Sequence, residues 1–214
     1  DSRPLSIGRI IETPACVAEG AAWLAVREPK FATAMEACGP LPLRRRPDGF
    51  EALLSAIVGQ QVSIASAAAI WKRLEEAGLI EEAAVAAAAP EALRAAGLSR
   101  PKIAYAQGLA RSGIDFAGLR TRPDEEVIAT LTAVKGIGVW TAEIYAMFAL
   151  GRADVFAAGD LALQEAARVL FDLPERPSPA HLRAMAEDWS PWRAVAARLL
   201  WAYYRTIKQR EGIR

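Results

Sequence analysis

Chemistry in this chain can be placed first at Leu131-Thr132-Ala133-Val134-Lys135-Gly136-Ile137-Gly138-Val139-Trp140-Thr141-Ala142, where two helical patterns meet around a Gly-x-Gly turn. Glycine at 136 and 138 permits positive φ and lets a phosphate approach the main chain with no Cβ in the way. The amides that open the second helix would point at that phosphate, and the helix dipole adds to the attraction. Ile137 is expected to anchor the turn in the core. Leu131 and Val134 before the turn, with Thr141-Ala142 after it, supply the contacts by which two helices close on each other. The second position is Asp160, directly ahead of an amphipathic pattern that begins at Leu161. An aspartate there reads as the cap of that helix or as a fixed carboxylate at a site, and the residues alone favour the cap.

Composition removes other chemistries. One histidine, His181, and two cysteines, Cys16 and Cys38, leave almost nothing from which to build a zinc site or a histidine-based nucleophilic triad. The cysteines are too few for a disulfide framework and are read as reduced and structural. His181 follows Ser178-Pro179-Ala180 and suits a helix start at the surface. The formal net charge of +1 neither demands nor excludes nucleic acid. The basic groups are instead clustered at Arg44-Arg45-Arg46, at Arg100 with Lys102, and at Arg205, Lys208, Arg210 and Arg214; each cluster suits phosphates or a solvated face equally. No run reaches the roughly 20 apolar residues of a membrane span, and no leader pattern is present, so a bacterial cytoplasmic or nucleoid location is expected.

The elements that must position these residues are helical. Apolar residues recur at three- and four-residue intervals, no alternating run is flanked by hairpin turns, and an all-α fold follows. Helices are expected over about 15–27, 30–37, 50–58, 64–77, 81–88, 90–96, 101–112, 123–133, 139–150, 161–171, 179–188 and 191–210. Asp48 with Glu51 is read as a capping box, Ser63 as the cap before Ile64, and Gly78 and Gly97 as helix stops. Breaks at Gly39-Pro40-Leu41-Pro42 through Pro47-Asp48-Gly49 and at 151–159 suggest two lobes. Residues 48–151 would form one contiguous lobe, with the helix-hairpin-helix at about 124–150. Residues 1–47 would pack with 152–214 as the other, with a ligand cleft between them and Asp160 at the crossover.

With the hairpin, three further blocks carry a resemblance: Ala56-Ile57-Val58-Gly59-Gln60-Gln61-Val62-Ser63, Asp154-Val155-Phe156 through Gly159-Asp160, and Pro191-Trp192-Arg193 ahead of Trp201. Together they make the sequence similar, from about Phe50 to Tyr204, to the helix-hairpin-helix DNA glycosylase superfamily, in its 3-methyladenine DNA glycosylase II branch. The resemblance implies a monomer that grips double-stranded DNA containing damaged bases. Lys135, Gly136, Ile137, Gly138 and Thr141 would serve the hairpin grip, with a monovalent Na+ or K+ held by the carbonyls of Val134 and Gly136. Gln60, Gln61 and Ser63 would face DNA, with Gln61 wedged into the space left by a flipped base. The iron-sulfur cysteines of the endonuclease III branch are absent, and the chain reads as too short at its N-terminus for the extra β domain of some relatives. Lys135 stands where a proline is common.

The same resemblance places the catalytic aspartate on Asp160. A carboxylate about 4 Å from a cationic sugar is attracted by ~4 kcal/mol at an effective dielectric of 20, roughly a thousandfold in rate. Bifunctional relatives carry a lysine immediately before the Thr-Ala pair, because an amine must form the Schiff base that precedes strand cleavage. Here that position is Trp140, so a monofunctional enzyme is implied. Its indole can stack on an electron-poor alkylated base by cation-π attraction. Trp201 matches another pocket aromatic, although core packing is the reading of that residue by itself. Ile144 stands where some relatives place a pocket tyrosine, so Tyr145, one residue on and on a different helical face, is taken with Trp140 and Trp201 as a pocket residue. Two competing readings stay open: a bifunctional oxidised-base glycosylase/lyase using Lys102 or Lys208, and a non-catalytic DNA-binding module that keeps the hairpin alone.

Overall fold

The structure, a computed structural model, describes residues 7–212, so Arg214 lies outside the described residues. The helices are α1 (Pro14–Arg27), α2 (Pro29–Cys38), α3 (Phe50–Val58), α4 (Ile64–Glu76), α5 (Glu82–Ala87), α6 (Pro90–Ala95) and α7 (Arg100–Ala110). They continue as α8 (Phe116–Leu119), α9 (Asp124–Thr132), α10 (Val139–Ile144), α11 (Leu161–Leu170), α12 (Pro179–Ala186) and α13 (Arg193–Arg210). Among the described residues there is no β-strand, only an isolated bridge between Ile10 and Arg152. The all-α expectation holds. No helix there is long and apolar enough to cross a membrane.

Two local readings need correction, and one short helix was not expected. Asp48 and Glu51 do not form a capping box: the N-cap of α3 is Gly49, at φ 107°, with no side-chain cap. Asp48 instead accepts two hydrogen bonds from Arg120, at 2.6 and 2.8 Å. The hairpin's second helix is not α-helical to residue 150, because α10 stops at Ile144 and Tyr145–Ala149 is a π-helical turn. The four-residue α8, capped by Asp115 Oδ1 on Gly118 N–H at 3.0 Å, is too short to leave a periodic signature. Ser63 does cap α4, and Gly78 and Gly97 do stop their helices with positive φ.

The chain forms two compact units, one continuous, Arg46–Tyr145, and one made by the chain up to Arg45 and again from Ala146. The second boundary falls inside the hairpin's second helix. Residues past it are tied to the N-terminal segment: Arg45 Nη1 donates to Ala149 O at 2.9 Å and Ile11 N–H to Gly151 O at 2.7 Å. In the continuous unit, α3 buries Leu53, Leu54, Ile57 and Val58, and α7 packs on both α3 and α5 while α9 packs on α10. In the discontinuous unit α13 packs on α1, α2 and α11. Its first half is buried on every side, as a central helix must be. Phe31, Phe156, Phe171 and Trp189 form one aromatic cluster, with neighbouring ring centroids 5.0–5.9 Å apart.

Candidate active site

In the continuous unit the hairpin is the α9–α10 connection, and its two glycines do different things. Gly136 sits at φ 97°, and a Cβ there would lie 2.7 Å from Tyr105 Cβ, so both conformation and space require glycine. Gly138 sits at φ −85° and ψ 175°, which any residue can adopt, and a Cβ there would meet nothing within 4 Å. The positive φ that glycine permits is thus used at 136 and not at 138. Gly138 leaves open space in front of the first amides of α10, which carry no side-chain cap. Ile137 is buried and anchors the turn, as expected, while Lys135 is exposed and Thr141 half-buried.

The Gln60-Gln61 turn belongs to the same unit. Gln61 is exposed and holds φ 54°, left-handed for a non-glycine residue. Gln60 does not present its amide outward. Its Nε2 donates to Gly136 O at 2.8 Å. Ser63 is engaged as a cap, accepting Ser66 N–H at 3.1 Å. Val62, Ile64, Val139 and Trp140 are exposed apolar side chains, Ile64 at 91 % and Trp140 at 47 %.

The two hairpin carbonyls expected to hold a monovalent cation each accept one hydrogen bond within the protein. Val134 O accepts Ile137 N–H at 3.1 Å, and Gly136 O is directed at the Gln60 amide. Among the described residues no group of His, Cys, Asp and Glu could hold a metal ion.

Tyr145, expected at the pocket, is turned into the core of its unit. It is 5 % exposed, and its hydroxyl accepts Gly49 N–H at 2.9 Å. Burial pushes its phenol up to about 12, and the neighbouring Asp48 charge acts in the same direction.

In the discontinuous unit Asp160 is the N-cap of α11. Its Oδ1 accepts Leu163 N–H at 3.0 Å. The same oxygen accepts the Trp201 indole N–H, from α13, at 3.1 Å. Capping requires only the first of these bonds. The second fixes the carboxylate against an aromatic wall, because the Trp201 ring lies 5.7 Å from the Phe148 ring. Behind Phe148, at 4.9 Å, is the guanidinium of Arg198, 1 % exposed. Its four hydrogen bonds of 2.8–3.2 Å run to the carbonyls of Pro42, Leu43 and Ala194. Burial, then the charges of Arg44 and Arg45, bring it down to about 10. Arg193 makes a two-pronged pair with Asp154, at 2.9 and 3.1 Å, so two of the sequence blocks meet.

Phe148, Arg198, Tyr105 and the inward turn of Gln60 carry no sequence signal. Their roles come from partners far away in the chain.

Comparison with known proteins agrees with the family that the hairpin and Asp160 blocks of the sequence resemble. A family model described as HhH-GPD superfamily base excision DNA repair protein matches residues 54–191. The chain is 32% identical over 169 residues to DNA-3-methyladenine glycosylase 1 of Schizosaccharomyces pombe, covering 73% of this chain and 72% of that one. Its structure resembles that of a DNA-3-methyladenine glycosidase from Bacillus halodurans, with TM-score 0.81, 34% identity and 94% of each chain covered. It also resembles the S. pombe 3-methyladenine DNA glycosylase in complex with abasic DNA, with TM-score 0.74, 28% identity, 86% of this chain and 95% of that one. The chain belongs to the HhH-GPD superfamily.

Proposed function

We propose that this protein is a monofunctional DNA glycosylase. It turns an alkylated base of the 3-methyladenine type out of duplex DNA and hydrolyses its N-glycosidic bond, leaving an abasic site for base excision repair. The observation that carries the reading is Asp160, held through Oδ1 by both Leu163 N–H and the Trp201 indole in a chain of this superfamily.

The uncapped amides of α10, fronted by Gly138, receive a DNA phosphate, and Lys135 adds a charge beside them. The exposed Gln61 fills the space from which the base departs. Trp140 stacks on the electron-poor ring of the lesion. As the bond to the base lengthens, positive charge grows on the sugar, and the Asp160 carboxylate stabilises it and orients the attacking water. The relatives named as 3-methyladenine glycosylases, one of them bound to abasic DNA, support this substrate class. The protein is expected to act as a monomer in the bacterial cytoplasm.

The lyase alternative loses its nucleophiles. Lys102 Nζ donates to Val58 O at 2.8 Å, and Lys208 lies 3.9 Å from Glu211 and against the Tyr204 ring. One excision panel tests the reading, with alkylated, deaminated and oxidised bases in duplex DNA and borohydride present in parallel. Release of alkylated bases with no trapped adduct is expected. Release confined to 8-oxoguanine, or a covalent protein-DNA adduct, contradicts it.

A further inference from the structure

We propose that Gln60, Lys102 and Tyr105 are positioning residues that brace the Gln60-Gln61 turn and the hairpin into one DNA-engaging surface. The proposal rests on the functional reading above only for its last clause. The brace is a property of the free protein.

Three contacts within the continuous unit close a ring. Lys102 Nζ donates to Val58 O at 2.8 Å, pinning the C-terminal end of α3, from which the Gln60-Gln61 turn departs. Tyr105, three residues on and so on the same face of α7, fills the space that a Cβ on Gly136 would need. Gln60 Nε2 then bonds Gly136 O at 2.8 Å across 76 residues of sequence, joining the two pinned ends directly.

The features braced are those that would not hold their shape unaided. Gln61 is left-handed without being glycine, and Gly136 is also at positive φ. For a residue other than glycine, such backbone persists only where its surroundings over-determine it. A lysine at a surface would normally carry its amine out to water. Here the Lys102 amine is part-buried on a helix-end carbonyl, and that burial lowers its affinity for a proton. Its positive charge also faces the negative end of the α3 dipole. Gln60, a polar side chain expected on the DNA side, is committed to the protein instead. Its role toward DNA is exercised through Gln61 and the hairpin amides.

Hydrogen exchange in the free protein reads the brace without using activity. Gln60→Met keeps the side chain's length and removes the donor; it is expected to raise exchange about tenfold in peptides covering 134–140, with α11 unchanged. Gln60→Glu supplies a donor only when its carboxyl is protonated, so its hairpin protection should move toward wild type as pH falls below about 4 and lie below that of Gln60→Met at pH 8. A side chain that merely fills space would give no such pH profile. Lys102→Met should loosen residues 58–63 from the other side, and serves if Gln60 variants do not fold.

With abasic-site DNA, Gln60→Met should bind about tenfold more weakly. Unchanged hairpin exchange in Gln60→Met, or in its absence unchanged exchange over 58–63 in Lys102→Met, overturns the brace. Loosened turns with undiminished DNA affinity overturn their role in DNA engagement. A wild-type protein that binds no damaged DNA defeats the functional reading, while the exchange results still decide the brace.

Discussion

The hairpin of the continuous unit and the Asp160 region of the other unit are both helix beginnings, built by opposite means. α10 starts at Gly138, which has no side chain with which to cap the first turn. α11 starts at Asp160, whose carboxylate caps Leu163 N–H and also takes the Trp201 indole N–H. In the proposed function the first would receive an external anion, and the second is a fixed negative charge that would suit a developing cation. A single N-cap residue decides which of the two a helix start becomes.

The largest effect on this contrast is expected from Gly136→Ala. The new methyl must occupy the place of Tyr105 and adopt φ 97°, so overpacking and backbone strain together should cost about 2–5 kcal/mol of stability, read by denaturant unfolding. Gly138→Asp converts the α10 start into a copy of the α11 start. Its backbone already has N-cap geometry with open space around it, so stability should hold or rise by up to about 1 kcal/mol. DNA affinity should nonetheless fall about a hundredfold, measured by fluorescence anisotropy at fixed salt, because a carboxylate now stands where the phosphate goes. Retained affinity would show that the α10 amides do not receive the backbone.

Removing one tie from the other helix start is milder. Trp201→Phe keeps a ring against Phe148 but loses the donor to Asp160, and should lower the single-turnover excision rate about tenfold with binding of abasic DNA preserved.

Tyr145→Phe touches neither helix start and sets the scale of a purely structural change. It leaves Gly49 N–H without its acceptor and should cost about 1 kcal/mol at pH 7 with excision intact. The tyrosine's own linkage has a definite sign. Its folded pKa of about 12 lies above the ordinary phenol value of about 10, so its contribution is fully present below pH 10 and is lost as pH rises toward 12. The variant should lack that part of the alkaline decline.

What could be read from the sequence divides along the same contrast. The hairpin was legible because it is local: glycines, an apolar anchor and two helical periodicities stand within twelve residues, and the backbone does the work. Most helix limits were legible for the same reason, with Ser63, Gly78 and Gly97 acting where they stand. Asp160 was legible as a cap, and as a catalytic residue only through the family pattern, because its second partner, Trp201, lies 41 residues away. Gln60 was placed on the DNA side, since nothing in the sequence connects it to Gly136. Tyr145 was assigned to a pocket by its neighbourhood to Ile144. The π-helical turn that begins at Tyr145 follows from packing that local propensity does not report.

The charge of Asp160 bears the proposed reaction most directly. Asp160→Asn keeps a side-chain oxygen that can cap Leu163 N–H and accept the Trp201 indole, so fold and geometry are retained while the charge is removed. Release of 3-methyladenine from duplex DNA under single-turnover conditions should drop about a thousandfold or more, with binding to abasic DNA unchanged. Excision by Asp160→Asn at the wild-type rate would contradict the assignment and return Asp160 to the role of a helix cap.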